Sequence, residues 1–269
     1  MKKFLHKFGL LLGVVLIAFG LGACSKKNSS SSQKKLTKIN VVATTNFYGQ
    51  IAKEVLGDHG KVTSIIDSPN VDPHDFTPTT ATAKTVSKAN LVIYNGVGYD
   101  SWVKKLNAKK YLSVGKVVKA KDGDNEHLWY NPKNMELLVD ALVKQYSSML
   151  PQYKKDFKKN ASAYKKKLNT LTAKIDEIKK LKHNNNVAVS EPVFNYALQA
   201  MGFNITDEHF AMAIEEGSDP SYTDIRDLQN SIKNHKIAFF VFNKQSDSKV
   251  VDNLVDLCKK RKCACSRSN

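Results

Sequence analysis

Residues 152–182 form a long stretch of helical pattern that constrains the fold more than any other segment. The stretch contains neither Gly nor Pro, and its apolar side chains recur at spacings of three, four and seven: Tyr153, Phe157, Tyr164, Leu168, Leu171, Ile175 and Ile178. At about 1.5 Å per residue such a helix would span roughly 45 Å, which exceeds the width of a small lobe. A coiled coil is one alternative. Because the other faces are rich in lysine, the pattern favours a surface rod between two lobes.

Strand patterns alternate with helical patterns on both sides of this helix. Before it the strand patterns are INVVA, KVTSIID, NLVIYNG and YLSVGKVV, and after it they are VAVSEP and KIAFFVFN. NLVIYNG and KIAFFVFN are apolar throughout, which is typical of buried parallel strands. The alternation predicts an α/β protein with two lobes of mostly parallel strands. We place the N-terminal lobe at residues 39–150, the linking helix at 151–183 and the C-terminal lobe at 184–269.

The first 38 residues indicate export and anchoring. Residues 1–23 have the features of a lipoprotein signal peptide: a basic lead, an apolar run too short to span a membrane comfortably, and the box LGAC. We expect Cys24 to be lipid-modified and to hold the protein on the extracytoplasmic face of the cell membrane. An uncleaved signal anchor is the alternative. Residues 24–38 are rich in Ser and Lys and predict a flexible tether.

The formal net charge of +17 needs an explanation of its own. Such a charge is compatible with nucleic-acid binding. However, 16 of the 39 lysines lie in the tether and the long helix of a chain that is predicted to be exported. Attraction to an anionic membrane or wall surface is therefore favoured, and nucleic acid is not expected as a partner. For the helix alone, a solvated lysine face is the simpler interpretation.

Three side chains follow predicted strands and suit a metal ion. His74 lies in the proline-rich loop SPNVDPHDFTPT, His127 in the polar loop DGDNEHLWYNP, and Glu191 ends VAVSEP. Open α/β sheets bind their ligands at the carboxyl ends of strands. Two imidazole nitrogens and one carboxylate facing a single cleft would suit a divalent transition metal ion. The alternatives are an exposed loop histidine at position 74 and a helix cap at position 191.

Several motifs together resemble one known family. TTNFYGQIAKEVLGD, DPHDFTPT, ANLVIYNGVGYDSWVKKL, NEHLWYNP and VSEPVFNYALQAMGF resemble the solute-binding family 9 lipoproteins, and the resemblance extends from residue 39 to about residue 260. These lipoproteins are the metal receptors of bacterial ABC importers for zinc and manganese. The resemblance implies two α/β lobes joined by a rigid helix, with the metal in the cleft. It also implies His74, His127 and Glu191 as metal ligands.

The resemblance further implies the cargo and the partners. The cargo would be Mn²⁺ or Zn²⁺, and the partners would be the permease and ATPase subunits of an importer, with the receptor itself a monomer and not an enzyme. The carboxylate favours manganese, but zinc outcompetes manganese at most sites of this kind. Three aspartates close to the ligands in sequence are candidates for orienting an imidazole from behind; these are Asp72, Asp75 and Asp124.

The segment RKCACSRSN departs from the family pattern, in which a late loop of the second lobe supplies a fourth, acidic ligand. It has no apolar run, and it contributes to a group of three cysteines, Cys258, Cys263 and Cys265. We expect residues 261–269 to be aberrant through truncation or frameshift, which would leave an incomplete second lobe, an exposed sheet edge and a site one ligand short. A cysteine metal site is the alternative, although the spacing matches no zinc pattern and exported thiols tend to oxidise.

Two other classes of function remain open at this stage. A basic, lipid-anchored surface adhesin would explain the charge and the tether. A hydrolytic zinc enzyme built on His74, His127 and Glu191 would need a general base, and the sequence offers no clear one. The motifs favour metal capture over both.

Overall fold

The computed structural model describes residues 36–68, 71–181, 184–245 and 248–268. The predicted signal peptide, Cys24 and the first part of the tether lie outside the described residues. The described chain contains two four-stranded sheets, and every strand pair in them is parallel. The predicted α/β class is therefore confirmed. Among the described residues, no helix combines the length and the apolar character needed to cross a membrane.

The first sheet is built from the strands that the sequence predicts. Its strands are β1 (Ile39–Thr45), β2 (Gly60–Ile66), β3 (Leu91–Tyr94) and β4 (Tyr111–Ser113). Their order across the sheet is β2-β1-β3-β4. All four residues of the central strand β3 are buried, as expected for an apolar parallel strand. His74 lies in the loop that follows β2, and His127 lies further along the chain from β4, directly before the 3-10 turn Leu128–Tyr130.

Four helices accompany this sheet: α1 (Asn46–Leu56), α2 (Thr80–Ser87), α3 (Val114–Val118) and α4 (Pro132–Met149). The segment YLSVGKVV was predicted to be extended, but only its first three residues form a strand. The chain passes from β4 directly into α3. The Ser113 hydroxyl accepts a hydrogen bond from the backbone N–H of Lys116, which caps the start of α3 and outweighs the strand preference of its valines. Across both lobes, the described residues contain five short 3-10 turns, at Gly57–His59, Ser101–Lys105, Leu128–Tyr130, Pro151–Tyr153 and Pro192–Phe194.

The long helix predicted between the lobes is present as α5 (Lys154–Lys179). Its 26 residues give a length of about 39 Å. Phe157, Ala161 and Leu168 are buried in the core of the first lobe. Ile178, near the other end, packs against the core of the second lobe. The apolar stripe of α5 therefore contacts both halves of the molecule.

The second sheet contains β5 (Asn186–Val189), β6 (Asn204–Ile205), β7 (Phe239–Asn243) and β8 (Ala264–Ser268), in the order β6-β5-β7-β8. Its helices are α6 (Asn195–Ala200), α7 (Glu208–Glu215), α8 (Tyr222–Lys233) and α9 (Lys249–Arg261). Strand β6 and helix α7 were not predicted from the sequence. Helix α8 is capped by Ser221, whose hydroxyl accepts from the N–H of Asp224.

The segment RKCACSRSN contributes an edge strand that was not predicted from the sequence, whereas its origin by truncation or frameshift stays a prediction. Strand β8 pairs with β7 over five residues, from Phe239 opposite Ala264 to Asn243 opposite Ser268. Backbone groups make these pairs, so a run of small and polar side chains can form them at a sheet edge. Within the described residues, β8 has β7 as its one neighbouring strand.

Candidate metal centre

His74 projects from the loop between β2 and α2 towards the second histidine loop. Its Nε2 lies 2.6 Å from Oε1 of Glu126. This hydrogen bond raises the pKa of His74, and burial opposes the increase. The carboxylate of Asp72 accepts a hydrogen bond from the backbone N–H of His74 at 2.8 Å. Asp72 therefore fixes the backbone of the loop, whereas the imidazole itself is held by Glu126.

His127 is buried and held in one orientation by Asn125. Oδ1 of Asn125 accepts from the backbone N–H of His127 at 2.9 Å and lies 2.9 Å from Nδ1 of the ring. Because an amide oxygen only accepts, this contact places the ring proton on Nδ1 and leaves the lone pair on Nε2. Burial, followed by the charge of His74, lowers the pKa of His127 to about 3. The ring is therefore neutral near pH 7, as a metal ligand must be.

Two carboxylates that the sequence analysis did not select complete the cluster. Ligand atoms of His74, Glu126 and Glu215 all lie within 4.8 Å of one another. Glu215, the last residue of α7, also lies 3.5 Å from Nε2 of His127 through its Oε1. Helix α7 therefore brings an acidic side chain to the histidines that was not predicted from the sequence, and the expectation of a site one ligand short stays a prediction.

The environment of Glu215 disfavours the charged form of its carboxyl group. Its Oε2 is buried and has no hydrogen-bond partner among the described residues. Burial, followed by the negative charges of Glu191 and Glu126, raises the pKa of Glu215 to about 8. A divalent cation at this point would offset both the lost hydration and the repulsion. The unpartnered oxygen is therefore evidence that the residues fit a metal ion.

Glu191 lies at the carboxyl end of β5, as the sequence predicts. Its Oε2 accepts a hydrogen bond from Nδ2 of Asn243 at 2.6 Å, and its charge acts on Glu215. Glu191 precedes a 3-10 turn, but its side chain makes no capping hydrogen bond there, so the helix-cap alternative has no support. The role of Glu191 as a ligand stays a prediction.

Aromatic rings and a buried polar network support the histidines. The ring of Tyr99 lies with its centroid 5.1 Å from that of His74 and 6.0 Å from that of His127. Behind the site, Nδ2 of Asn95 donates to the backbone oxygen of Glu126 at 3.0 Å, and the Tyr48 hydroxyl donates to Oδ1 of Asn95. The segment that carries Glu126 and His127 is thus fixed from the core of the first lobe.

The buried carboxylate of Asp100 strengthens this support. It accepts from the hydroxyl of Thr44 at 2.6 Å, from the backbone N–H of Asn95 at 2.7 Å and from the next backbone N–H at 2.9 Å. Burial raises the pKa of Asp100, and these hydrogen bonds oppose the increase. Asp100 therefore ties β1 to the end of β3, directly beneath the metal-site loops.

Asn125 also connects the two lobes. Its Nδ2 donates to the backbone oxygen of Pro192 at 2.7 Å, and the hydroxyl of Tyr196 donates to its backbone oxygen at 2.8 Å. Pro192 immediately follows Glu191. The residue that orients the imidazole of His127 is therefore bound to the segment that carries the predicted carboxylate ligand.

Within the described part of the chain, no hydrogen bond joins Asp75 or Asp124 to an imidazole. Asp75 is exposed on the His74 loop. Asp124 accepts from the backbone N–H of Lys121 at 2.8 Å and closes a turn. Nδ1 of His127 contacts the amide of Asn125, and the orienting roles of these two aspartates stay predictions.

Comparison with known proteins agrees with this architecture. The family described as zinc-uptake complex component A periplasmic (ZnuA) matches residues 41–263, and this chain belongs to that family. The chain is 33% identical over 228 residues to the metal ABC transporter substrate-binding lipoprotein FimA of Streptococcus parasanguinis, covering 75% of this chain and 70% of the relative. It is 34% identical over 221 residues to the manganese ABC transporter substrate-binding lipoprotein PsaA of Streptococcus pneumoniae, covering 74% and 70%.

Solved structures share the fold at lower identity. The periplasmic zinc binding protein TroA from Treponema pallidum matches with a TM-score of 0.69 at 20% identity, over 86% of each chain. The laminin binding protein (Lmb) of Streptococcus agalactiae, described as bifunctional with adhesin and metal transporting activity, matches with a TM-score of 0.70 at 18% identity, over 86% of this chain and 89% of that one. These similarities establish the two-lobed α/β fold.

Proposed function

We propose that this chain is the extracytoplasmic receptor of an ABC importer, which captures one divalent transition metal ion, Mn²⁺ or Zn²⁺, and delivers it to a membrane permease. The observation that carries the proposal is the convergence of His74, Glu126 and Glu215 within 4.8 Å, with one buried carboxylate oxygen left without a partner. Membership of the metal-receptor family supports the same function.

The proposed ligands come from both lobes. His74, His127 and Glu126 belong to loops of the first sheet, and Glu215 and Glu191 belong to the second lobe. Imidazole nitrogens combined with carboxylate oxygens are a donor set that suits both manganese and zinc. In the metal-free chain, His74 contacts Glu126 and His127 faces Glu215. An ion bound among these four groups replaces those contacts, and any protons held there are released on binding.

Delivery requires a place at the membrane and a partner. The signal-peptide features and the position of Cys24 support lipid anchoring outside the cytoplasm, and relatives are named as ABC transporter substrate-binding lipoproteins. The permease and ATPase subunits of an importer follow as partners. The adhesin alternative is weaker, because the relatives above 30% identity named here are metal receptors.

Titration calorimetry of the metal-free chain with Mn²⁺ and with Zn²⁺ tests the proposal. We expect one ion to bind per chain, and the affinity to fall at least about tenfold in His74→Ala, because a direct ligand is lost. His209→Ala, which removes an exposed imidazole of the second lobe, is the matched control and should bind as wild type. Absence of binding in the wild-type chain, or equal binding by His74→Ala, contradicts the proposal. Salt-sensitive binding to surface polymers that survives His74→Ala would favour the adhesin instead.

A further inference from the structure

Three thiols that the metal centre does not use meet where α9 joins β8. Helix α9 ends at Arg261, and the next residue, Lys262, has its backbone in the left-handed region at φ 54°. The N–H of Lys262 bonds to the oxygen of Lys259 at 3.3 Å, and the N–H of Cys263 bonds to the oxygen of Cys258 at 2.9 Å. This pair of bonds is the Schellman motif, which also brings the side chains of its first and last residues together. Cys258 and Cys263 are accordingly buried in one core cluster.

Cys263 directly precedes β8, and Cys265 is the second residue of that strand, with its Sγ 3.9 Å from the backbone oxygen of Cys263. Its backbone pairs with Phe240 of β7, and its side chain is exposed. Burial raises the pKa of the Cys258 thiol, and the thiols of Cys265 and then Cys263 raise it further. Helix α9 packs against β8, and the cap bonds hold the start of β8 at the end of α9, so the exposed thiol of Cys265 and the buried thiol of Cys258 lie in one cluster at the sheet edge.

We propose that Cys258 and Cys265 are a redox-active pair that forms a disulfide between helix α9 and edge strand β8. The oxidant is a small disulfide outside the cytoplasm, so the physiological setting of this proposal rests on the location given in the proposed function. Free thiols are seldom stable in such compartments, where disulfides form and persist.

The chemistry is thiol–disulfide exchange in two steps. The accessible Cys265 thiol loses its proton to solvent, and its sulfur attacks one sulfur of the oxidant, breaking the oxidant's S–S bond and releasing one small thiol. The Cys258 thiol then loses its proton, and its sulfur attacks the Cys265 sulfur of this mixed disulfide. The second small thiol leaves. Two protein thiols are oxidised to one disulfide, and one small disulfide is reduced to two thiols.

The position of the pair gives the bond a structural consequence. Within the described residues β8 pairs with β7 alone, so its outer edge has no strand beside it. An edge strand of this kind is open to fraying and to pairing with other chains. A covalent bond from Cys265 to Cys258, which is anchored in the core, fixes β8 in place. Oxidised protein should therefore unfold at a higher temperature than reduced protein.

Peptide mapping tests the pair directly. Four basic residues separate Cys258 from Cys263, so trypsin places Cys258 in VVDNLVDLCK and both other thiols in CACSR. The full chain in detergent is treated with glutathione disulfide, free thiols are alkylated, and the chain is digested without reduction. We expect the two peptides to be linked and the link to disappear after dithiothreitol. Separate, fully alkylated peptides, or a glutathione adduct that persists on Cys265, overturn the proposal.

Two matched variants identify the partners. The link should persist in Cys263→Ser and be lost in Cys265→Ser, and the opposite result overturns the assignment. Metal titration of the oxidised and reduced wild-type chain separates this proposal from the proposed function. We expect equal Mn²⁺ affinity in both states, because the thiols are not among the proposed metal ligands. A chain that forms the link but binds no metal refutes the proposed function alone, whereas a chain that binds metal but forms no link refutes the thiol pair alone.

Discussion

Asn125 holds His127 from within the first lobe while it is bound to Pro192 in the second lobe. Its Oδ1 lies 2.9 Å from Nδ1 of His127, and its Nδ2 donates to the Pro192 backbone oxygen at 2.7 Å. One amide therefore sets which ring nitrogen faces the cleft and also connects that ring to the lobe that carries Glu191 and Glu215. Metal affinity should depend on this residue although it contributes no ligand atom to the proposed site.

Substitution Asn125→Ala tests this dependence. We expect metal affinity to fall by about 10–100-fold, the usual effect of losing a residue that orients a ligating imidazole. Asn125→Asp keeps an acceptor for the ring N–H but loses the donor to Pro192, so its effect should be smaller. Asn107→Ala, at an exposed position of the first lobe, is the control. Calorimetric titration measures all three, and wild-type affinity in Asn125→Ala would exclude the orienting role.

Substitution of Glu215 can be compared with the same substitution at its exposed neighbour, Glu216. Glu215 is mostly buried with an unpartnered Oε2, whereas Glu216 is exposed. Glu215→Gln should lower metal affinity about tenfold or more, because it removes a charged ligand from the cleft. Above about pH 8, where the buried carboxyl of Glu215 is ionised, it should also raise the melting temperature of the metal-free chain, because a buried charge without a counter-charge is lost. Glu216→Gln should change neither quantity; equal behaviour of the two variants would remove Glu215 from the site.

The buried carboxyl group of Asp207 should make the stability of the fold depend on pH, independently of the metal centre. Both of its carboxylate oxygens accept from the N–H of Val189 at 3.1 Å, and burial raises its pKa to about 8 from 3.8. Since the folded-state pKa exceeds the unfolded one, the stabilisation is complete below about pH 4 and is lost as the pH rises towards about 8.

The variant Asp207→Asn should lack this contribution to the pH dependence. Its unfolding free energy relative to wild type should increase steadily between pH 4 and pH 8 and level off above. Urea denaturation of both chains with a chelator present, at one-unit pH intervals, measures the difference. A difference that is constant with pH would show that the carboxyl of Asp207 titrates normally.

The long helix α5 should stabilise the fold through one face only. Phe157 is fully buried in the core of the first lobe, whereas Leu171 on the same helix is 51% exposed. Phe157→Ala should cost about 3–5 kcal/mol of unfolding free energy through lost burial and a cavity. Leu171→Ala should cost no more than about 0.5 kcal/mol, as is usual for surface positions. Urea denaturation checks both values, and similar losses would mean that the helix does not pack as described.

Elements with a strong hydrophobic period were predictable from the sequence. The apolar runs that became β1, β3 and β7 and the uninterrupted period of α5 each indicate one structure over many residues. Helix α3 was missed because a serine cap outweighed the strand preference of its valines. Strand β8 was missed because backbone pairing to β7, rather than an apolar pattern, defines it.

The candidate site was predictable only in part, for a similar reason. His74, His127 and Glu191 stand at the ends of predicted strands, where topology alone suggests that ligands meet. Glu126 was overlooked although it adjoins His127, since sequence gives no direction for its side chain. Glu215 ends a helix whose pattern went unassigned, and its approach to the histidines depends on how the two lobes pack. Tertiary contacts of this kind leave no periodic signal.

X-ray absorption at the metal edge of the full chain, loaded with one equivalent of Mn²⁺ or Zn²⁺, tests the central claim most directly. The account predicts a shell of nitrogen and oxygen donors with the outer-shell scattering of two imidazoles, supplied by His74 and His127, and no sulfur. A shell that contains sulfur, or one without imidazole scattering, would place the ion elsewhere in the chain and contradict the account.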